Sequence, residues 1–260
     1  MNLGLEGKVA LITGGSQGIG LETAILLAQE GCRVAIAARN EQRLQEAASQ
    51  IQQLGGAEAL IIQADVAVEE DCRRAVAQVA EHFGQLDIVV NNAGTAAGKP
   101  LEHTDSDIWT ADLDLKILGA VHCSRYALPL LRKSSGAAIV NVTAIGGKTP
   151  GGSSMPSSVS RAAGLALTKA MSKDLAKDGI RVNAVCIGLI RSAQIERAWQ
   201  ASAPELSWEQ FAEEPRHEIP LGRIGDTREA ANVIVFLASQ AASYVSGTAV
   251  NIDGGKSAVL

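Results

Sequence analysis

The chain has 260 residues, enough for one α/β domain with a sizeable core. Its 23 basic and 28 acidic residues give a net charge of −5, and it carries three Trp, two Tyr and three Phe. An acidic, aromatic-poor chain argues against a nucleic-acid binder held by phosphate contacts or base stacking, and no apolar run approaches the ~18 residues that span a bilayer. Cys32, Cys72, Cys123 and Cys186 are too widely spaced for a zinc site or a secreted disulfide framework. No basic-then-apolar leader is visible at Met1–Gly7. A cytoplasmic protein with reduced thiols and neither metal nor membrane partner is expected.

Taken in order, the predicted elements alternate. A short apolar strand over Lys8–Thr13 meets the glycine-rich stretch Gly14–Gly20, then an apolar-periodic helix over Leu21–Gly31. A strand at Arg33–Ala38 precedes a polar helix at Glu41–Leu54, and Ala59–Gln63 a helix at Glu69–Phe83. The strand Leu86–Val90 runs into Asn91-Asn92-Ala93-Gly94. Long helices are expected at about Ser106–Lys133 and Ser157–Asp178, around a strand at Ala138–Val142. Strands at Arg181–Cys186 and Ala249–Ile252 flank a last helix near Thr227–Leu237. Wholly apolar strands separated by helices imply a parallel sheet covered on both faces, a doubly wound α/β domain of Rossmann type over residues 1–260. The stretch Arg191–Arg223 reads as irregular and is expected to be a substrate lid; a decorative insertion is the alternative.

Glycines between the first strand and helix permit a tight turn and let backbone approach a pyrophosphate at a helix N-terminus. Gly14, Ser16, Gln17, Gly18, Ile19 and Gly20 are therefore candidate cofactor contacts. A carboxylate after the second strand would select NAD through the ribose hydroxyl. This chain has Arg39 and Asn40 there, and a guanidinium suits a 2′-phosphate, so NADP is expected over NAD. Arg39 as a merely solvated charge at a helix start is the other possibility.

These motifs, with Asp65-Val66, Ile180-Arg181-Val182-Asn183, Pro220-Leu221-Gly222-Arg223, Phe236-Leu237-Ala238-Ser239, Gly247 and Asp253-Gly254-Gly255, resemble the short-chain dehydrogenase/reductase family over nearly the whole chain. The likeness to 3-oxoacyl-reductase-like members is general. It implies a nicotinamide cofactor, with Asp65, Val66, Asn92, Gly94 and Ile190 among its contacts, and assembly into homodimers or homotetramers. The family's chemistry uses four groups: an Asn in a proton relay, a Ser that positions the carbonyl, a Tyr acid/base and a Lys on the nicotinamide ribose. At those four positions this sequence has Lys116, Ala144 (beside Thr143), Ser157 and Arg161. The Pro-Gly pair that usually follows the sixth strand is Ile187-Gly188.

A Ser hydroxyl is a far weaker acid than Tyr and is shorter by roughly 5 Å, against a required contact of about 3 Å. Ser157 therefore does not simply replace Tyr. Arg161 keeps a positive charge for the ribose hydroxyls but is no proton donor. Lys116 is long enough to enter the cleft, and desolvation or Arg161 would lower its pKa. It is expected either to protonate the substrate oxygen, with Ser157 or Thr143 orienting the substrate, or only to fill a hole by bonding backbone carbonyls. Ser153, Ser154, Ser157, Ser158 and Ser160 have no His or acidic residue nearby in sequence, so a hydrolytic triad is not indicated. The expected function is an NADP(H)-dependent oxidoreductase on a small carbonyl or alcohol, with a non-standard site. The alternatives are a lyase, isomerase or hydrolase on the same scaffold, or a catalytically inactive nucleotide-binding or structural subunit.

Overall fold

In the computed structural model, which describes residues 2–260, the strands are β1 (Val9–Thr13), β2 (Arg33–Ala38), β3 (Ala59–Gln63), β4 (Ile88–Asn91), β5 (Ala138–Ala144), β6 (Arg181–Ile187) and β7 (Ala249–Ile252). They form one seven-stranded sheet in the order β3-β2-β1-β4-β5-β6-β7, every pairing parallel. The helices are α1 (Gly18–Gln29), α2 (Glu41–Gly55), α3 (Glu69–Phe83), α4 (Ser106–Leu113), α5 (Gly119–Leu131), α6 (Ser157–Asp174), α7 (Ala193–Ser202), α8 (Trp208–Ala212) and α9 (Thr227–Ala238). This is a single doubly wound α/β domain.

Strand side chains alternate faces, and the core divides accordingly. Ala10 and Ile12 of β1 pack with Ala24 and Leu27 of α1, Leu44 of α2 and Ile234 of α9. Val9 and Leu11 face the other way, with Val76 and Val79 of α3 and Ala127 and Leu131 of α5. Strand order reverses between β1 and β4, so the carboxyl ends of these two strands open a crevice, the usual ligand site of such sheets.

Strand ends shift by one or two residues, and four segments depart further or in kind. The first helix begins at Gly18 instead of Leu21, because the end of the glycine loop is itself the first helical turn. The expected helix Ser106–Lys133 is α4, a π-helical turn at Asp114–Leu118 and α5, in which the Gly119 N–H bonds back five residues to the Asp114 carbonyl. The second long helix ends at Asp174, followed by a 3₁₀ turn at Ala176–Asp178. Arg191–Arg223 is not irregular: it contains α7 and α8, folded on a small core of Ala203, Phe211, Ala212, Ile219 and Ile224 with Trp199 and Trp208 against it. Its aromatic residues supply the apolar area that a loop lacks. No helix among the described residues is long and apolar enough to cross a membrane.

Candidate active site

The glycine loop crosses the crevice between β1 and β4. Gly14 is required by packing as well as by its φ of +64°: a Cβ there would lie 2.9 Å from the Ala93 Cα. Gly18 has φ +57° and open space where its Cβ would be. Helix α1 starts with no side-chain cap and no acidic residue in its first turn, so its free N–H groups and positive end face the crevice. Such a bare, glycine-lined helix start fits the pyrophosphate of a dinucleotide. The buried Thr13 hydroxyl accepts from the backbone N–H of Asn92 (3.0 Å) and Ala93 (3.1 Å), locking the loop to the β4 turn. The Asn92 amide donates to the carbonyls of Thr13 (3.0 Å) and Gly14 (3.1 Å). Asn92 thus braces the loop through its side-chain amide.

At the far end of the crevice, Arg39 is 71% exposed and its Nη1 lies 4.0 Å from an Asp65 carboxylate oxygen. Asn40 uses its side chain to cap α2, accepting from the Arg43 N–H at 2.9 Å. Arg43, which sequence reasoning passed over, donates to Gln17 Oε1 at 3.2 Å and adds a second cation beside the loop. Its signal was its place in the first turn of the helix that follows Arg39 and Asn40. Asp65 caps its own turn, accepting from the Ala67 N–H at 3.1 Å. Val66 lies under Gly119 and lines the crevice floor. Ile190 is buried, with its side chain against Gly225.

The floor beyond the loop is lined by Thr13, Asn91, Lys116, Thr143 and Arg161 among others. Lys116 stands on the π turn, and its side chain is 2% exposed. It neither projects free into the cleft nor bonds backbone carbonyls. Its Nζ donates to Asp112 Oδ1, one turn back on α4, and to Ser157 Oγ at 2.6 Å, at the start of α6. The second Asp112 oxygen accepts from the Ser160 hydroxyl at 2.6 Å. An acidic group does therefore reach the serines. It was missed because it is distant in sequence from them, although the Asp112–Lys116 spacing of four is the ion-pair signal of a helix. Burial pushes the Lys116 ammonium below its ordinary pKa, the hydrogen bond to Asp112 opposes this, and Arg161 adds to the lowering.

Arg161 donates from Nη1 to the Val142 carbonyl at 2.8 Å, and its Nη2 lies 3.0 Å from where a Cβ on Gly94 would stand. Burial lowers its pKa, with Asp112 opposing; the group remains a cation. Thr143 is 4% exposed. Its hydroxyl meets Cys186 Sγ at 3.7 Å and its methyl group lies beneath Gly164 of α6. A substrate-orienting Thr143 does not fit this burial, because α6 lies across it. Ser157 is half-buried at the first position of α6, where its Oγ also accepts from the Ala97 N–H at 3.2 Å.

A family model described as enoyl-(acyl carrier protein) reductase matches residues 14–257. An uncharacterized oxidoreductase of Thermotoga maritima is 36% identical over 257 residues, covering 99% of this chain and all of that protein. The chain belongs to the short-chain dehydrogenase/reductase family. As a short-chain dehydrogenase/reductase it is an oxidoreductase by type, of a family that binds a nicotinamide cofactor. Two solved members superpose closely. A short-chain oxidoreductase of Pseudomonas aeruginosa PAO1, described as containing an atypical catalytic center, is 36% identical with a TM-score of 0.93, over 97% of this chain and 98% of that one; it is also known with NADPH bound. L-sorbose reductase of Gluconobacter frateurii, complexed with NADPH and L-sorbose, is 33% identical with a TM-score of 0.94 over the full length of both chains.

Proposed function

We propose that this short-chain dehydrogenase/reductase is an NADP(H)-dependent reductase of a small-molecule carbonyl in which Ser157 delivers the proton and Lys116 replaces it. One observation carries this: Ser157 Oγ accepts hydrogen bonds from both Lys116 Nζ and the Ala97 N–H. A hydroxyl has two acceptor lone pairs and one donor hydrogen. With both lone pairs engaged, the Ser157 hydrogen is left to donate, and a substrate oxygen at the cleft would be its acceptor. The same occupancy makes Ser157 a poor nucleophile, which weighs against acyl transfer.

The nicotinamide cofactor, when bound, supplies the hydride. The chain's residues do the rest. Gly14, Ser16, Gln17, Gly18, Ile19 and Gly20 at the bare start of α1 would hold the pyrophosphate, with Asn92 bracing them. Arg39, joined by Arg43, would hold a 2′-phosphate, which favours NADP over NAD; the NADPH complexes of the Pseudomonas and Gluconobacter proteins support this choice. Asp65 and Val66 would border the adenine. Arg161, close above Gly94, would hold the ribose hydroxyls. Residues 191–223 would close over the substrate as a lid. Exposed Leu118 and Val159, at the starts of the two long helical segments, support assembly through those helices into a dimer or tetramer.

Parallel fluorescence titrations with NADPH and NADH, followed by nicotinamide absorbance with a panel of ketones and aldehydes, test the proposal. NADPH preference and stoichiometric oxidation of NADPH are expected. Binding of neither nucleotide would rule the function out.

A further inference from the structure

The polar groups behind Ser157 form a chain with one direction. Asp112, buried with Lys116, has a carboxylate that only accepts: from Lys116 at one oxygen and from Ser160 at the other. Lys116 as an ammonium only donates, to Asp112 and to Ser157. Ser157 accepts twice and so donates outward. Asp112 is the fixed end of this chain.

Nothing else nearby could do the same. The charged groups that act on Lys116 are Asp112 and Arg161. From β4 and β5 the floor receives Asn91, Asn141 and Thr143, from the glycine loop's strand Thr13, and from α6 Ser160 and Arg161, with the Ser157 hydroxyl bonded to Lys116. Among these described residues Asp112 is the only anion. Without it, burial and the Arg161 guanidinium would both favour a neutral amine. A neutral amine accepts. Ser157 would then turn its hydrogen toward Lys116 and lose its donor end at the substrate.

We propose that Asp112 is a positioning residue that sets the polarity of the Lys116–Ser157 chain, so that the resting site is a proton donor built for carbonyl reduction. The inference rests on Lys116 and Ser157 supplying the proton, as proposed above. In the step, the Ser157 O–H bond breaks as the substrate O–H bond forms, using the electron pair that the carbonyl oxygen gains when hydride adds to its carbon. The Ser157 oxygen takes a proton from Lys116. Lys116 is left as a neutral amine and regains its proton from solvent. Oxidation of the alcohol runs the same steps backwards and needs Lys116 neutral at the start, the state that Asp112 opposes.

The test uses the full-length protein with lysine ¹³C-labelled at Cε, the Lys116 signal being assigned by its loss in Lys116→Arg. In the wild type, Lys116 is expected to be protonated at neutral pH, and a neutral Lys116 would overturn the proposal whether or not any variant folds. Asp112→Asn should lower the Lys116 titration midpoint and move the alkaline limb of NADPH-dependent reduction down by about 1–3 pH units, with NADPH affinity within about twofold of wild type. Asp112→Glu should return the limb toward its original position. An unmoved midpoint and limb in Asp112→Asn would mean that Asp112 is only structural. If the midpoint falls but no carbonyl is reduced even by the wild type, the control of Lys116 by Asp112 stands and the function proposed above fails.

Discussion

Lys116 Nζ lies 2.6 Å from Ser157 Oγ, although 41 positions separate the two residues in the chain. The contact joins the π turn before α5 to the first residue of α6, and places a buried cation directly behind the half-buried Ser157 hydroxyl. A cation that recharges Ser157 from behind offsets its weak acidity, while its short reach requires the substrate oxygen to approach the start of α6 itself.

Ser157→Ala should lower kcat by about 10²–10⁴, the usual scale of a lost proton donor, with little change in NADPH affinity. Ser157→Thr, which keeps the hydroxyl, should retain most of the rate. Equal rates for Ala and Thr, measured by nicotinamide absorbance, would remove Ser157 from the chemistry.

Lys116→Ala leaves the Asp112 carboxylate buried without its cation, so the variant should lose about 3–5 kcal/mol of stability along with turnover. Replacing both partners, Lys116→Met with Asp112→Leu, should recover much of that stability and none of the turnover. Denaturant unfolding and steady-state rates on the same preparations separate the two effects. A double variant as unstable as the single one would show that the loss has another origin.

Arg39→Ala should weaken NADPH binding by about tenfold or more while leaving NADH nearly unchanged, since a charge-assisted hydrogen bond to phosphate is worth about 1.5–3 kcal/mol. Arg43→Ala should have a smaller effect of the same sign, because that side chain already donates to Gln17. Equal losses for both nucleotides would show that Arg39 does not read the 2′-phosphate.

Trp208 carries the Arg191 guanidinium 4.5 Å above its ring and meets Trp199 at 5.7 Å between centroids. Trp208→Ala should loosen the 191–223 segment, raising KM for the carbonyl substrate several-fold with NADPH affinity intact. An unchanged KM would make that segment a structural appendage.

Acid stability should depend on Asp87. Burial works to raise its pKa, but hydrogen bonds from Ser134, the Val9 N–H and Lys8, with the Lys8 charge, outweigh that and hold it below the ordinary value. A carboxyl whose folded pKa is depressed stabilises the fold above its unfolded pKa, and that contribution is lost as pH falls from about 4 through the folded value. Thermal melting against pH should therefore show a steep acid limb that Asp87→Asn flattens. The wild-type slope persisting in the variant would assign the limb to other carboxyls.

The sheet was legible because parallel strands buried on both faces read as plain apolar runs, and the glycine loop because close packing at Gly14 tolerates no side chain. Lys116, Ser157 and Arg161 were visible as departures from a family pattern. Asp112 and Ser160 were not, since their significance lies in contacts between α4 and α6 that no local spacing reveals. The burial of Thr143 was likewise hidden, because it depends on how α6 lies across β5. For Arg191–Arg223, turn residues and prolines masked two short helices whose stability comes from their own aromatic cluster.

The wide turn at Asp114–Leu118 has one more consequence. Each residue advances an α-helix by about 100°, and a turn closed five residues back instead of four spends one residue more. The segment after it is therefore out of phase, by about that angle, with the segment before it. This offset lets Asp112 and Lys116 face α6 while Cys123, Ala127 and Leu131 still face the sheet and α3. Deleting one residue within 114–118 would restore a regular helix and bring the two halves back into phase. Either Lys116 would swing away from Ser157, or the apolar face of α5 would turn off the core. The shortened chain could keep its fold or its proton donor, but not both.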